Sequence, residues 1–170
     1  MTAQSVILPL PSDHARFIVL RLKDLTISEL KQQIEALLST RDRLITQHPN
    51  DQIKTAVAFG PELWAQLSTE TPEGFKQLDP QSGAFNMPVV PADVFIHIAS
   101  ARADICFSIS QAFFAGIQDK VEVLDERHCF RFFDGRDMTG FIDGTENPQF
   151  PDDRAEARSE EHTSELQSPD

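Results

Sequence analysis

The hydrophobic pattern at the start of the chain predicts one strand followed by one long helix. Residues 16–22 form a short apolar and β-branched run, which is typical of a buried strand. Thr26 and Glu29 then form a capping box, and apolar residues recur at helical spacing until residues 48–50 end the run. One face of this helix must therefore lie on a sheet.

The middle of the chain predicts a second strand, a short helix and a long connection. Residues 53–59 are apolar and end at Gly60, and Pro61 occupies the first position of a short helix. Residues 69–92 are dense in proline and glycine, so we expect no regular element there. A loop of this length inside a compact domain is more often functional than filler.

The remaining pattern completes an α+β arrangement. Residues 93–99 predict a third strand, residues 102–116 an amphipathic helix, and residues 120–133 a fourth strand. The order is strand, helix, strand, strand, helix, strand, with the short helix inserted between the middle strands. This order predicts a ferredoxin-like split βαβ fold, with an antiparallel four-stranded sheet and two helices on one face.

Charge and hydropathy narrow the possible partners and the location. The 170 residues include 27 acidic and 15 basic side chains, giving a net charge of -12 and a pI of about 4.7. This charge argues against a nucleic-acid partner, which needs a basic surface. No apolar run approaches a membrane span and the first residues do not resemble a signal peptide, so we expect a cytoplasmic protein that does not bind membranes.

The remaining composition limits the chemistry that the side chains can perform. Cys106 and Cys129 lack the spacing of a disulfide framework or zinc site, which predicts buried, inert thiols and no metal ligands. The chain has thirteen phenylalanines and no tyrosine, and we expect the Phe-rich strands to form the core. Catalysis would therefore depend on carboxylates, histidines or a cofactor.

Residues 140–148 (GFIDGTENP) form the most distinctive stretch. Asp143 stands beside Gly144 in an apolar setting, where it can project into a cavity. A calcium loop is one interpretation, but Pro148 stands where the EF-hand pattern requires glycine. A phosphotransferase loop is another, but Phe141 replaces the nucleophilic carboxylate. A simple Gly-Asp turn whose carboxylate caps nearby amides is the third.

A fourth interpretation is a resemblance to a family. Gly140-Phe141-Ile142-Asp143-Gly144 is similar to the GxxDG motif of the dye-decolourising haem peroxidases, and residues 145–148 resemble the form seen in their YfeX-like branch. Other segments resemble the family in the same order and spacing: residues 56–60 with Trp64, residues 93–98 leading to Phe107-Ser108, and residues 130–133 with Arg136-Asp137. The resemblance covers residues 6–157.

The resemblance implies a haem site shared between two halves. In that family two ferredoxin-like halves form a dimeric α+β barrel, and this chain would be the first half. Asp143 would be the catalytic acid-base group, taking a proton from hydrogen peroxide and returning it to the departing oxygen. Ile142, Asp143, Gly144, Thr145 and Glu146 would line the haem.

The same resemblance implies that the iron ligand lies outside this chain. The cofactor would be haem b, ligated by a histidine of the second half, which also contributes a distal arginine. We therefore expect His97 and His128 to be structural histidines. The implied partners are hydrogen peroxide and a small organic reductant, and we expect the full-length protein to be a homo-oligomer.

The end of the chain departs from the family. Residues 158–170 (RSEEHTSELQSPD) resemble the translation of a common sequencing-adapter oligonucleotide, so we expect a disordered artefactual tail there. Residues 1–157 would then be an N-terminal peroxidase half that is inactive alone. The alternative hypothesis is a ferredoxin-like binding module that uses its sheet face, or the loop at residues 69–92, for a ligand or partner.

Overall fold

The computed structural model describes residues 4–7, 11–72, 75, 81–82, 85–86, 90–142, 144, 148, 150 and 152–154. The principal elements follow the predicted order. They are β1 (His14–Leu22), α1 (Ile27–Gln47), β2 (Lys54–Phe59), α2 (Pro61–Leu67), β3 (Gln81–Ser82), β4 (Phe85–Asn86), β5 (Val94–Ser100), α3 (Ala103–Phe114) and β6 (Val121–Phe130).

Four of the strands form an antiparallel sheet in the order β2-β5-β1-β6. The central strands β1 and β5 pair over seven positions, from His14 opposite Ser100 to Leu20 opposite Val94. On the other side of β1, the pairing with β6 shifts register between Val19 and Leu20. The predicted α+β fold with an antiparallel four-stranded sheet is confirmed.

The capping box explains where α1 begins. The Thr26 hydroxyl accepts from the Glu29 amide, and the Glu29 carboxylate accepts from the Thr26 amide, so both ends of the box are satisfied. Glu29 also pairs with Lys120, just before β6. These bonds join the first turn of α1 to the strand that lies beside β1.

Alternation along the strands gives the sheet two different faces. On one face, side chains pack against the helices and form an aliphatic core. Its fully buried members include Ile18, Leu20, Ile96 and Ile98. The opposite face carries Phe17, Phe95 and His97 from the same strands, and these side chains are only partly buried or exposed. We call these the helix-covered face and the open face.

Three details of the predicted fold need correction. The connection at residues 69–92 contains the short strands β3 and β4, which pair with each other, although no regular element was expected there. The last strand ends at Phe130 and not at residue 133, because a turn begins at Phe132, whose carbonyl accepts from the amides of Gly135 and Arg136. The core is aliphatic and not Phe-rich, since Phe113 is the only fully buried phenylalanine among the described residues.

Part of the chain for which predictions were made lies outside the described residues. The expected tail at residues 158–170 lies outside them. Within the described part, no helix is both long and apolar enough to cross a bilayer.

Candidate functional site

A cleft of about 940 Å³ lies on the open face of the sheet. Its floor includes Phe17 and Ala15 from β1 and His97 and Ala99 from β5. The segment that follows β6 contributes a wall that includes Phe132, and residues near the start of the chain complete the rim. A pocket of this size is in the range that proteins use for cofactors and small ligands.

The aromatic part of the floor is built by pairing between the central strands. Phe17 and His97 stand opposite each other in the register, and their ring centroids are 4.5 Å apart in an edge-to-face arrangement. Phe95 stacks on Phe17 with the ring centroids 5.9 Å apart, and its centroid also lies 6.5 Å from that of His97. The ring contacts hold His97 in one orientation, because aromatic pairs prefer such geometries.

Basic side chains line the cleft although the chain as a whole is acidic. Four of them, Lys54, Arg131, Arg136 and Arg154, face two acidic residues, Asp13 and Asp134. Burial and the nearby Arg154 cation lower the pKa of Lys54, and burial together with Lys54 lowers the pKa of His97. Both effects favour the neutral form of the His97 imidazole.

The loop that leads to the GxxDG motif is held by one carboxylate. Asp137 Oδ1 accepts from the Thr139 hydroxyl at 2.6 Å, the Thr139 amide at 2.8 Å and the Phe141 amide at 3.1 Å. The hydroxyl bond and then the amide bonds lower the pKa of Asp137. Arg136 adds a bond from Nη1 to the Gly140 carbonyl at 3.0 Å. These bonds hold a loop that extends from residue 136 to 141 and so includes the first two residues of the motif.

The two glycines of the motif adopt conformations that other residues disfavour. Gly140 has a φ of 96° and Gly144 a φ of 71°, both in the left-handed region. Between them, Ile142 forms a bridge with Arg136. The backbone conformation therefore favours glycine at both the first and the last position of GxxDG.

The predicted site residues fall into two groups. Ile142 and Gly144 line the cleft, beside the basic and aromatic groups described above. Asp143, Thr145 and Glu146 lie outside the described residues. The structure thus brings the two neighbours of Asp143 to the cleft, and the role of Asp143 itself stays a prediction.

The other candidate residues differ in their surroundings. Cys106 is buried, and burial raises the pKa of its thiol to about 11, which fits the inert thiol that was expected. Cys129 is not buried but half-buried, and it lines the cleft. His128 is exposed on β6, 3.4 Å from Glu126.

Sequence reasoning missed the contribution of His97 and Lys54 to the cleft. Both were hidden in apolar strand patterns, and His97 was expected to be only structural. A signal was available, because an alternating strand with a histidine in an otherwise apolar run places that histidine on one face with its second neighbours. Within the described residues, no cluster of acidic, histidine and cysteine side chains is suited to a metal ion.

Comparison with known proteins decides the family. The model of the Dyp-type peroxidase N-terminal domain matches residues 4–131. This chain belongs to the Dyp-type peroxidase family. The predicted resemblance is therefore confirmed, and the matched region contains all four strands of the main sheet.

Curated relatives and solved structures agree with this assignment. A dye-decolorizing peroxidase of Brevibacterium linens is 33% identical over 150 residues, which are 87% of this chain and 41% of that protein. A solved dye-decolorizing protein from V. cholerae superposes with a TM-score of 0.81 at 30% identity, covering 91% of this chain and 52% of the other. A DypB variant from Rhodococcus jostii, solved in complex with heme, has a TM-score of 0.71 at 29% identity and coverages of 88% and 49%. The chain therefore spans about half the length of the relatives it matches.

Proposed function

We propose that this chain is the N-terminal half of a haem-dependent peroxidase, which reduces hydrogen peroxide while it oxidises an organic donor. The membership of the Dyp-type family supports the reaction class. The placement of Ile142 and Gly144 in the cleft carries the assignment of the site, because these residues flank Asp143 on both sides. The activity would require the remaining half that the relatives possess.

The described residues fit one edge of a large, flat and partly anionic cofactor such as haem b. Phe17, Phe132 and Ile142 supply apolar and aromatic surface, which suits a macrocycle. The basic side chains of the cleft suit carboxylate groups. Haem, when bound, supplies the redox chemistry of the iron, and its histidine ligand would come from the second half.

The chain's own residues would control protons and access. Asp143 would take a proton from hydrogen peroxide and return it to the departing oxygen, which needs an ionised and partly desolvated carboxylate. Ile142, Gly144, Thr145 and Glu146 would line the cofactor edge beside it. The loop held by Asp137 would position this group, since a misplaced acid-base group loses much of its effect.

A chimera tests this proposal. Residues 4–154 of this chain would replace the matched part of the V. cholerae dye-decolorizing protein, and haem would be followed by its Soret absorbance. We expect Asp143→Asn to lower peroxide-dependent donor oxidation about 10²–10⁴-fold with the Soret band retained. Asp153→Asn, which removes an exposed carboxylate ten residues later, is the matched control and should leave turnover unchanged.

Two outcomes would contradict the proposal in different ways. Full turnover of the Asp143→Asn chimera would remove the acid-base role from that residue. A folded chimera without haem, beside a V. cholerae protein that holds it under the same conditions, would favour a ligand-binding module. The isolated chain, titrated with haem, should show no peroxidase-type complex because it lacks the proposed ligand.

A further inference from the structure

The two edges of the main sheet are protected in different ways. The β6 edge carries charged residues along its middle, including Asp125, Glu126 and Arg127, and its register with β1 is irregular. Charges and irregular pairing are ordinary means of preventing another strand from adding to an edge. The β2 edge has the sequence KTAVAF, with Lys54 as its one charge and no irregularity in its pairing with β5.

The β2 edge is covered by two side chains from the start of the chain. The side-chain amide of Gln4 donates from Nε2 to the backbone carbonyl of Val57 at 2.8 Å. Its Oε1 accepts from the backbone N–H of Val57, also at 2.8 Å. The Ser5 hydroxyl donates to the Thr55 carbonyl at 3.1 Å and accepts from the Thr55 amide at 2.9 Å. Each side chain therefore supplies both a donor and an acceptor, as a neighbouring strand would.

The groups that these side chains occupy are those that a second β2 strand would use. In an antiparallel ladder, successive residues direct their backbone groups alternately to one neighbour and to the other. Thr55 and Val57 direct theirs away from β5, as their bonds to Ser5 and Gln4 show. A two-fold axis at Ala56 would place Thr55 of one copy opposite Val57 of the other.

The side chains allow this pairing. In the same register Lys54 of one copy would stand opposite Ala58 of the other, so no like charges meet. The β2 edge has six residues, is mostly apolar and pairs without interruption, and an edge of this kind can pair between chains when it is uncovered.

We propose that the β2 edge is a self-complementary surface for a second copy of this chain, and that Gln4 and Ser5 cover it in the same molecule and keep copies apart. Removing both side-chain caps leaves four backbone groups without these partners. Pairing with the β2 edge of another copy would then restore all four bonds. The cap and the second copy compete for the same backbone atoms.

The test compares a variant with both caps removed with a matched variant elsewhere. The double variant Gln4→Ala/Ser5→Ala removes the caps, and Gln66→Ala/Ser12→Ala removes the same two side-chain types from surface bonds to Glu62 and Gln52. Weight-average mass would be measured over a concentration series, with circular dichroism to confirm that each variant is folded. We expect the mass of the cap variant to rise toward twice that of the wild-type chain, while the control follows the wild type.

Hydrogen exchange locates the effect. At low concentration the amides of Thr55 and Val57 should exchange about tenfold faster in the cap variant, as the loss of one hydrogen bond predicts. At high concentration their protection should return as copies pair. Adding Ala58→Lys, which sets like charges opposite each other across the proposed pair, should abolish both the mass increase and the regained protection.

Either of two results would overturn the proposal. One is a cap variant whose mass and exchange at Thr55 and Val57 superpose on those of the wild-type chain. The other is association that persists unchanged when Ala58→Lys is added, because it would then use a different surface.

Discussion

The two faces of the main sheet are built by the same strands but serve different ends. On β1 and β5, one set of alternate residues, including Ile18 and Ile96, is fully buried beneath the helices. The intervening residues, including Phe17 and His97, form the floor of the cleft. The helix-covered face is aliphatic and closely packed, and the open face is aromatic, basic and accessible.

The helix-covered face contributes mainly to stability, and the open face carries the polar groups of the cleft. Aliphatic side chains without polar atoms can pack densely, so the helix-covered face supplies most of the buried apolar area. The open face carries the half-buried side chains of His97 and Lys54. Burial disfavours the charged form of each and lowers both pKa values. Changes on the first face should therefore affect folding, and changes on the second should affect the cleft more than the fold.

The largest expected difference is between a phenylalanine of the core beneath the helices and one of the open face. Phe113→Ala on α3 should lower the free energy of unfolding by about 3–5 kcal/mol, because it opens a cavity in the core. Phe17→Ala on the open face should cost only about 1–2 kcal/mol, since its ring is half-buried. Urea denaturation measures both, and equal losses would contradict the proposed division between the faces. Phe107→Ala, on an exposed part of α3, is the control and should cost about 0.5–1 kcal/mol through its contact with Arg16.

A smaller difference concerns two ion pairs between β1 and β6. Arg16 is buried on the helix-covered face, where its Nε donates to Glu126 at 2.6 Å, and Arg21 pairs with Glu122 on the open face at 3.3 Å. Glu126→Gln should destabilise the protein by about 1–2 kcal/mol, because the buried guanidinium loses its charged partner. Glu122→Gln should cost less than about 0.5 kcal/mol, as is usual for exposed pairs. Thermal unfolding in low and high salt would check this, and a reversed order would refute it.

The smallest expected effects are two losses of stability with pH, one from the open face and one from the start of α1. The His97 pKa lies below its ordinary 6.5 in the folded chain, so the unfolded chain binds the proton better and stability falls as pH decreases below about 6.5. Lys120 and Thr26 lower the Glu29 pKa from 4.5 to about 2, so its stabilising contribution is present above pH 4.5 and is lost as pH falls toward 2. Urea midpoints measured against pH should show both losses. His97→Gln should remove the first and Glu29→Gln the second, and a profile that neither variant changes would contradict these assignments.

Local patterns were sufficient to predict most of the fold. The capping box at Thr26 and Glu29, the helical spacing in α1 and the apolar strands gave the correct order of elements and the correct sheet class. These features depend on bonds between residues close in sequence and on the period of each element. The limits of β6 and the hairpin of β3 and β4 were missed because they depend on turns and pairings that composition does not reveal.

The candidate site was predicted less completely. Ile142 and Gly144 of the GxxDG motif line a cleft, and their place beside a haem stays a prediction. The contributions of Lys54 and His97 were not predicted, because they come from strands that are distant from the motif in sequence. The capping of β2 by Gln4 and Ser5 was equally hidden, as it joins residues about fifty positions apart.

The sequence by itself determined the alternating elements, the family resemblance and the glycine positions of the motif. These follow from periodicity and from backbone conformations that few residues adopt. Only the tertiary structure decided which strand face became the core, which side chains met in the cleft and how each sheet edge was covered. Those outcomes depend on the register between distant strands, and a shift of one residue would have exchanged the two faces.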